Sequence, residues 1–114
     1  MYQLMYLPST CTFRLTDILR GFVAWRILLE RNESISFHSP VVRQDRNEHD
    51  LLRDFSEETG LFLHSDNIAN DLLSLDLVGQ SISEQLITCY KALEKRQVIS
   101  NHEFKTLELW NSFF

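Results

Sequence analysis

Residues 12–29, TFRLTDILRGFVAWRILL, join a charged, turn-like cluster directly to a strongly apolar run, and this stretch decides the predicted fold. Its apolar residues recur at helical spacing around most of the circumference. We therefore predict a helix from Thr16 to about Arg31 that is covered on several sides. Thr16 is predicted to be its N-cap, because a threonine hydroxyl can accept a hydrogen bond from a free amide of the first turn. Asp17 would then lie at the positive end of the helix dipole, where a carboxylate is favoured.

Two arginines, Arg14 and Arg20, flank Asp17 in this cluster. Because arginine binds carboxylates and phosphates in a bidentate manner, one interpretation is a functional site. Asp17 would be its general base or acceptor-orienting carboxylate, and the arginines would bind a phosphate. The other interpretation is an ordinary capping carboxylate with arginines on the surface. All basic residues before position 60 are arginines and the three lysines come later, which places any anion site in the first half.

The composition indicates one folded domain, or a piece of one, with 114 residues of which 44% are hydrophobic. A net charge of −5 disfavours a general nucleic-acid binder and electrostatic docking on an anionic membrane. The apolar runs are too short for a membrane span, and we recognise no signal peptide. Cys11 and Cys89 lie far apart and form no metal-type pair, so we expect reduced thiols and a cytoplasmic protein.

The hydrophobic periodicity predicts an α+β fold with two or three short strands and about five helices. Tyr2–Leu7 reads as a short buried strand, and Ser34–Ser39 alternates with the period of a half-buried strand. After a polar loop, a short helix from Leu51 is predicted to stop at Gly60. A further helix is predicted to follow a cap at Ser65.

Two capping patterns indicate helices in the last third of the chain. The segment Ser81-Ile82-Ser83-Glu84 has the spacing of a capping box, and Ser100-Asn101-His102-Glu103 repeats that signal. We expect the two helices to form an antiparallel hairpin that packs on the first half. The chain is therefore divided into residues 1–78 and a helical hairpin cap of residues 79–114.

Two histidines are candidate metal ligands. His49 in the polar loop is the first candidate, and His38 in the second predicted strand is the other, since histidine is a common metal ligand. The alternative is a solvated loop and a structural histidine, because a structural zinc site needs four ligands. The sequence contains no Gly-rich phosphate loop, no Gly-x-Ser-x-Gly elbow, no His-Glu-x-x-His and no Asp-x-Asp. On its motifs alone, the chain does not read as a complete enzyme.

Two segments carry a family resemblance. Residues 12–26, followed by residues 46–55 (RNEHDLLRDF), resemble the C-terminal part of the STELLO-type glycosyltransferases, and the resemblance extends over about residues 1–75. Those proteins are distantly similar to the reversibly glycosylated polypeptides and have the GT-A nucleotide-sugar transferase fold. The resemblance therefore implies a partial GT-A-like domain that carries the acceptor side of a transferase site.

The resemblance also implies roles for particular residues. Asp17, after Thr16 at the helix start, would deprotonate or orient the acceptor hydroxyl. Arg14 and Arg20 would steady the diphosphate leaving group, and Arg46 would belong to the same substrate-binding set.

The metal and the donor side are implied in the same way. His49, or secondarily His38, would reach the Mn²⁺ or Mg²⁺ ion or the donor phosphates of the full-length family. The nucleotide-binding half with its Asp-x-Asp motif is missing from this sequence. We therefore expect a fragment that is inactive and metal-free alone, and that meets a nucleotide sugar and an acceptor only when the other half is supplied.

The alternative hypothesis is a non-enzymatic interaction or dimerisation module, which the lack of a donor motif supports. An edge and an apolar face left by the missing half would favour a homo-oligomer or a partner chain.

Overall fold

The protein is all helical in the part of the chain described by a computed structural model, residues 1–45, 48 and 50–114. In this part 61% of the residues are helical and none is in a strand, so the predicted α+β fold with a partial GT-A-like sheet is wrong. These residues form two short 3₁₀ helices and four α-helices: 3₁₀ helices Tyr2–Met5 and Phe13–Leu15, α1 Thr16–Glu30, α2 Leu51–Leu73, α3 Ile82–Lys95 and α4 Glu103–Asn111.

Both predicted strands are absent for a physical reason. A short apolar run such as Tyr2–Leu7 cannot be assigned to strand or helix by periodicity alone, and here it begins with a 3₁₀ helix that buries Leu4. The alternating segment Ser34–Ser39 has no neighbouring strand to pair with among the described residues. Its apolar side chains face solvent, and Phe37 is 95% exposed.

The region predicted as two helices is a single helix, α2, which continues through residue 60. Glycine inside a helix costs only about 1 kcal/mol relative to alanine, so contacts along the rest of α2 can override the predicted stop. The side chain of Asp50 caps α2 by accepting hydrogen bonds from the amides of Leu52 and Arg53 at 3.0 and 3.2 Å.

Of the other predicted helix caps, one is confirmed and two are wrong. The capping box at Ser81 and Glu84 is confirmed, with the Ser81 amide donating to Glu84 at 2.8 Å. The predicted helix α1 is confirmed, and Asp17 lies in its first turn. The N-cap role of Thr16 is wrong, because Thr16 is already helical and its hydroxyl donates to the carbonyl of Phe13 at 2.9 Å. The second capping box, from Ser100 to Glu103, is wrong because α4 begins only at Glu103, whose carboxylate binds the hydroxyls of Tyr6 and Thr10.

The N-terminal segment, α1, the end of α2, α3 and α4 share a hydrophobic core. Residues 1–78 and residues 79–114, which the sequence analysis separated, therefore both contribute to this core. Helices α1 and α3 lie at its centre, and their core residues are almost completely buried. The fully buried side chains of these two helices are those of Leu19, Val23, Ile27, Leu86, Cys89, Tyr90 and Leu93.

Arg26 fixes the end of α2 against α1. Its buried guanidinium donates to the carbonyls of Leu72 and Leu75 at 2.9 and 2.8 Å and pairs with Glu30 at 2.9 Å. The first of these carbonyls lies in the last turn of α2 and also accepts from the Leu75 amide at 3.3 Å, and the second lies just after the helix. Ile68 and Leu72 enter the core on the same side, so the rotation of α2 about its own axis is fixed from this end.

Candidate interaction surface

The first half of α2 turns its charged side towards the protein. Arg14, at the N-terminal side of α1, pairs with Asp54, and its guanidinium lies 3.9 Å from Glu57 and 3.7 Å from Glu58. These carboxylates are only about a quarter exposed. The Thr12 hydroxyl also donates to the Glu57 carbonyl at 3.3 Å. The inner side of this half-helix is thus held by ionic and polar contacts.

The opposite side of the same half-helix is apolar and faces solvent. Its six members, here named the outer α2 face, share one stripe about 120° wide at 100° per residue. Five of them are large hydrophobic side chains, and the exposed fractions are 78% for Leu51, 83% for Leu52, 60% for Phe55, 62% for Phe62 and 68% for Leu63. The sixth member is Thr59.

The outer α2 face is internally ordered. The rings of Phe55 and Phe62 stack with centroids 5.8 Å apart and an angle of 28° between their planes. The Thr59 hydroxyl donates to the Phe55 carbonyl at 2.9 Å, so its hydrogen-bonding capacity is met within the helix. The stripe therefore offers a partner apolar surface without an ionisable group among its six members.

The rotation of α2 explains why apolar residues face outward. Ile68 and Leu72 must enter the core, and a straight helix then carries Asp54 and Glu58 on that same side about three to five turns earlier. Leu52 and Phe55 lie on the opposite side. Normal amphipathic helices bury the apolar stripe, so the first half of α2 is amphipathic in the reverse sense.

A second group of exposed apolar residues precedes α2. Residues 33–45 have no regular secondary structure apart from a bend. Phe37, Val41 and Val42 are 95%, 92% and 81% exposed. Among the described residues, this segment and the outer α2 face together carry nine of the 21 large hydrophobic residues that are exposed.

The residues predicted as a transferase site point in different directions. Asp17 is exposed, and its carboxylate accepts a hydrogen bond from the Ile18 amide at 2.9 Å. Arg14 faces the acidic residues of α2. Arg20 is half-buried on α1 near Tyr90, and burial raises the pKa of that phenol in spite of the arginine's charge. The structure therefore engages Arg14 with α2, away from Asp17.

The predicted histidines form no described metal site. His38 is exposed in the segment before α2. His49 and Arg46 lie outside the described residues, so the prediction of their roles is untested. No group of three or more possible His, Cys, Asp or Glu ligands lies together in the described part of the chain.

A buried carboxylate that the sequence analysis missed lies at the start of α4. Glu103 is fully buried, and it accepts hydrogen bonds from the hydroxyls of Tyr6 and Thr10. The amides of Ser9 and Thr10 donate to it at 3.0 and 2.8 Å. Burial opposes ionisation, but the hydrogen bonds from Thr10, Tyr6 and the two amides outweigh it and hold the pKa of Glu103 below its ordinary value.

The hydrogen bonds of Glu103 hold the N-terminal segment against the start of α4. Trp110 adds to it by donating its indole N–H to the Gln3 carbonyl at 3.0 Å, and Tyr6 packs edge-on against Tyr90 with centroids 5.4 Å apart. The sequence signal for this role was weak, because a Glu at the third position after Ser100 matches a capping box equally well.

Comparisons with known proteins do not assign the chain to a family. No protein-family profile matches the chain, and no curated protein and no solved structure matches it either. Within the described residues, none of the helices combines the length and the apolarity that crossing a membrane requires.

Proposed function

We propose that this chain is a non-enzymatic protein-interaction module whose docking surface is the outer α2 face. The observation that carries the proposal is the reversed amphipathicity of the first half of α2. Arg14 holds the acidic side inward, and Leu52 and Phe55 are left in solvent.

The size of the exposed surface supports the proposal. If each fully exposed side chain of this size offers roughly 150–200 Å², the exposed fractions of the five large residues leave on the order of 600 Å² of apolar surface. The largest apolar patch on a typical monomer covers about 300–600 Å² and is often functional. The outer α2 face is therefore at the upper end of what a protein without a partner normally exposes.

The free thiols of Cys11 and Cys89 support a reducing compartment such as the cytoplasm for this module. Burial raises the pKa of the Cys89 thiol to about 12, so this thiol has little thiolate character at neutral pH.

The transferase role implied by the STELLO resemblance stays a prediction. Asp17 lies in the first turn of α1, where the resemblance places the acceptor-side carboxylate. The arginine expected to steady a diphosphate, Arg14, is engaged by three carboxylates of α2. An approaching diphosphate would meet the repulsion of those carboxylates, so the geometry favours the interaction module.

Site-specific photo-crosslinking in the cells that produce the protein tests the proposal. The photoreactive amino acid p-benzoylphenylalanine replaces Phe55 or Phe62 in the full chain. The matched control carries it at Val78, an apolar residue of similar exposure (78%) outside α2. We expect ultraviolet-dependent products from the two α2 positions, none from Val78, and loss of the products when Leu52→Asp is added.

Either of two results would contradict the proposed function. One is the absence of a crosslinked product at Phe55 and Phe62. The other is equal labelling at Val78, which would indicate unspecific contact with neighbouring proteins. The mass of any product is recorded, because it also decides the identity of the occupant.

A further inference from the structure

A cavity of about 310 Å³ lies beside the core, where α1, α2 and the turn after α3 meet. Much of its lining is apolar and comes from three buried residues and two half-buried ones: Leu15, Leu19, Ile68, Leu61 and Val98. Cavities that take small organic molecules measure about 300–1,000 Å³. This cavity is at the lower end of that range, so it has room for a small ligand only.

The opening of the cavity is polar. His64 and Gln97 are exposed there, and Arg96 is half-buried between the cavity and solvent. Each of these side chains can donate a hydrogen bond. The Arg96 Nε donates to Asp71, and the guanidinium makes no other hydrogen bond within the described part of the chain. Most of its five N–H donors are therefore available to a ligand.

The charge at the opening favours a ligand with one negative charge. The hydrogen bond from Arg96 and the charges of Arg96 and Lys95 lower the pKa of Asp71, so both cations lie close to this carboxylate. Two cations and one carboxylate leave one positive charge. A monoanion complements that charge, whereas a dianion such as a phosphate monoester would also be repelled by Asp71.

Gln97 occupies a position at which helices usually carry glycine. Helix α3 ends in a Schellman motif, in which the Gln97 amide donates to the Glu94 carbonyl at 2.7 Å. The Val98 amide donates to the Leu93 carbonyl at 3.0 Å, which turns the chain back towards the cavity. The φ of Gln97 is 61°, a left-handed conformation that glycine adopts without strain and glutamine does not. A strained residue whose side chain lies at the opening of a cavity points to a functional role.

We infer that this cavity binds a small monocarboxylate with a short apolar chain, of the class of medium-chain fatty acids. The apolar chain would lie among the lining residues, and the carboxylate would accept hydrogen bonds from Arg96 and Gln97. Leu61 and Ile68 lie on the inner side of α2. The cavity is therefore separate from the outer α2 face, and the inference goes beyond the proposed function and does not depend on it.

Calorimetric titration of the purified full chain with sodium octanoate tests the inference. We expect saturable binding with a Kd between about 10 μM and 1 mM, which is within reach of a ligand of about ten non-hydrogen atoms. The neutral counterpart with the same number of carbons, 1-octanol, should bind at least about tenfold more weakly, because it forms no charge-assisted hydrogen bond.

Two substitutions at the opening should act in opposite directions. Arg96→Met should weaken octanoate binding at least about tenfold and leave 1-octanol binding unchanged, since it removes the cation. Asp71→Asn should strengthen octanoate binding about two- to tenfold, because Arg96 then has no competing carboxylate. Arg53→Met is the matched control and should have no effect. Arg53 also pairs with a carboxylate of α2, that of Glu57 at 3.1 Å, but it does not line the cavity.

Gln97→Gly separates a binding role from a structural one. Glycine relieves the left-handed conformation, so the urea midpoint of unfolding should rise. The affinity for octanoate should fall about two- to fivefold, since the amide donor is lost. A higher midpoint with unchanged affinity would overturn the assignment of Gln97 to the site.

The location of the bound ligand is tested by two further variants. Val98→Trp fills the cavity and should abolish binding of octanoate and 1-octanol, whereas Leu52→Asp on the outer α2 face should change neither. Circular dichroism checks that every variant is folded. Loss of binding in Leu52→Asp with retention in Val98→Trp would place octanoate on the outer α2 face and overturn the inference. The inference is also overturned by a lack of saturable octanoate binding, by equal affinity for 1-octanol, or by binding that Arg96→Met leaves intact. None of these results bears on the crosslinking at Phe55 and Phe62, so the inference and the proposed function can fail separately.

Discussion

The ion pair between Arg14 and Asp54 joins the N-terminal side of α1 to the inner side of α2. The position of this ion pair decides which side of α2 is exposed. Because Arg14 binds acidic residues on one side of the half-helix, the apolar residues on the other side face solvent. The first half of α2 therefore has one side that makes ionic contacts within the protein and another side that exposes apolar residues to solvent.

Arg14→Met is expected to destabilise the protein by about 1–2 kcal/mol. The variant keeps the aliphatic part of the side chain but leaves half-buried carboxylates of α2 without their cation, and repulsion among them then opposes folding. Urea denaturation followed by circular dichroism measures the change. Arg31→Met is the control, since the Arg31–Glu33 pair at 3.2 Å is more exposed and such pairs contribute about 0–1 kcal/mol. Equal effects of the two substitutions would contradict the prediction.

Glu103→Gln is expected to cost about 2–4 kcal/mol in the free energy of unfolding. The amide keeps the size of the side chain but replaces one acceptor oxygen by a donor, so the bonds from Thr10 and Tyr6 cannot all be kept. Chemical denaturation provides the measurement. Glu108→Gln, on the exposed side of the same helix, should change stability by less than about 0.5 kcal/mol. A loss as small as that of Glu108→Gln would show that Glu103 does not anchor the N-terminal segment.

The lowered pKa of Glu103 predicts a loss of stability in acid. Because the pKa of the folded state lies below the ordinary 4.5, the ionised carboxylate contributes its full stabilisation above pH 4.5 and loses it as the pH falls through the folded-state pKa. The melting temperature of the wild type should therefore fall steeply as the pH is lowered from about 5 to 3.

The Glu103→Gln variant should show a shallower decline over the same range. Tyr6, Tyr90 and Cys11 also face this carboxylate, but all three stay neutral there because their pKa values are raised. Parallel profiles of the two proteins would argue against the assignment.

The two thiols are expected to react slowly and in a fixed order. Burial, with a smaller contribution from Glu103, raises the pKa of Cys11 to about 11. At pH 8 its thiolate fraction is then about a hundredfold below that of a thiol with a pKa of 9. Ellman's reagent should label Cys11 slowly, and Cys89 only after unfolding, because Cys89 is fully buried. Rapid labelling of both thiols in the folded protein would contradict the burial of α3.

Uridine diphosphate with Mn²⁺ is expected to give no saturable heat in calorimetric titration. The acidic residues around Arg14 disfavour a diphosphate, and Asp17 makes a local bond to the Ile18 amide. Asp17→Asn should give the same trace as the wild type. Saturable binding that Asp17→Asn weakens would support the transferase prediction over the interaction module.

The sequence predicted those features that depend on neighbouring residues. Helix α1 and the capping box at Ser81 follow from local spacing, and both are confirmed. The strand at Ser34–Ser39 could not be judged locally, because alternation marks a strand only where another strand is available to pair with it. The role of Glu103 was equally hidden, since its partners Tyr6 and Thr10 lie more than ninety residues earlier in the chain.

The sequence by itself determined where α1 and α3 form, but it predicted a helix end at Gly60 inside the single helix α2, whose residues 51–63 carry a pattern of apolar and acidic side chains. Only the tertiary structure decided which side of that pattern is buried. A helix can be rotated about its axis without a change in its local hydrogen bonds, so its orientation depends on distant contacts. Ile68, Leu72 and Arg26 fix it from one end and Arg14 from the other, and together they turn Leu52 and Phe55 to solvent.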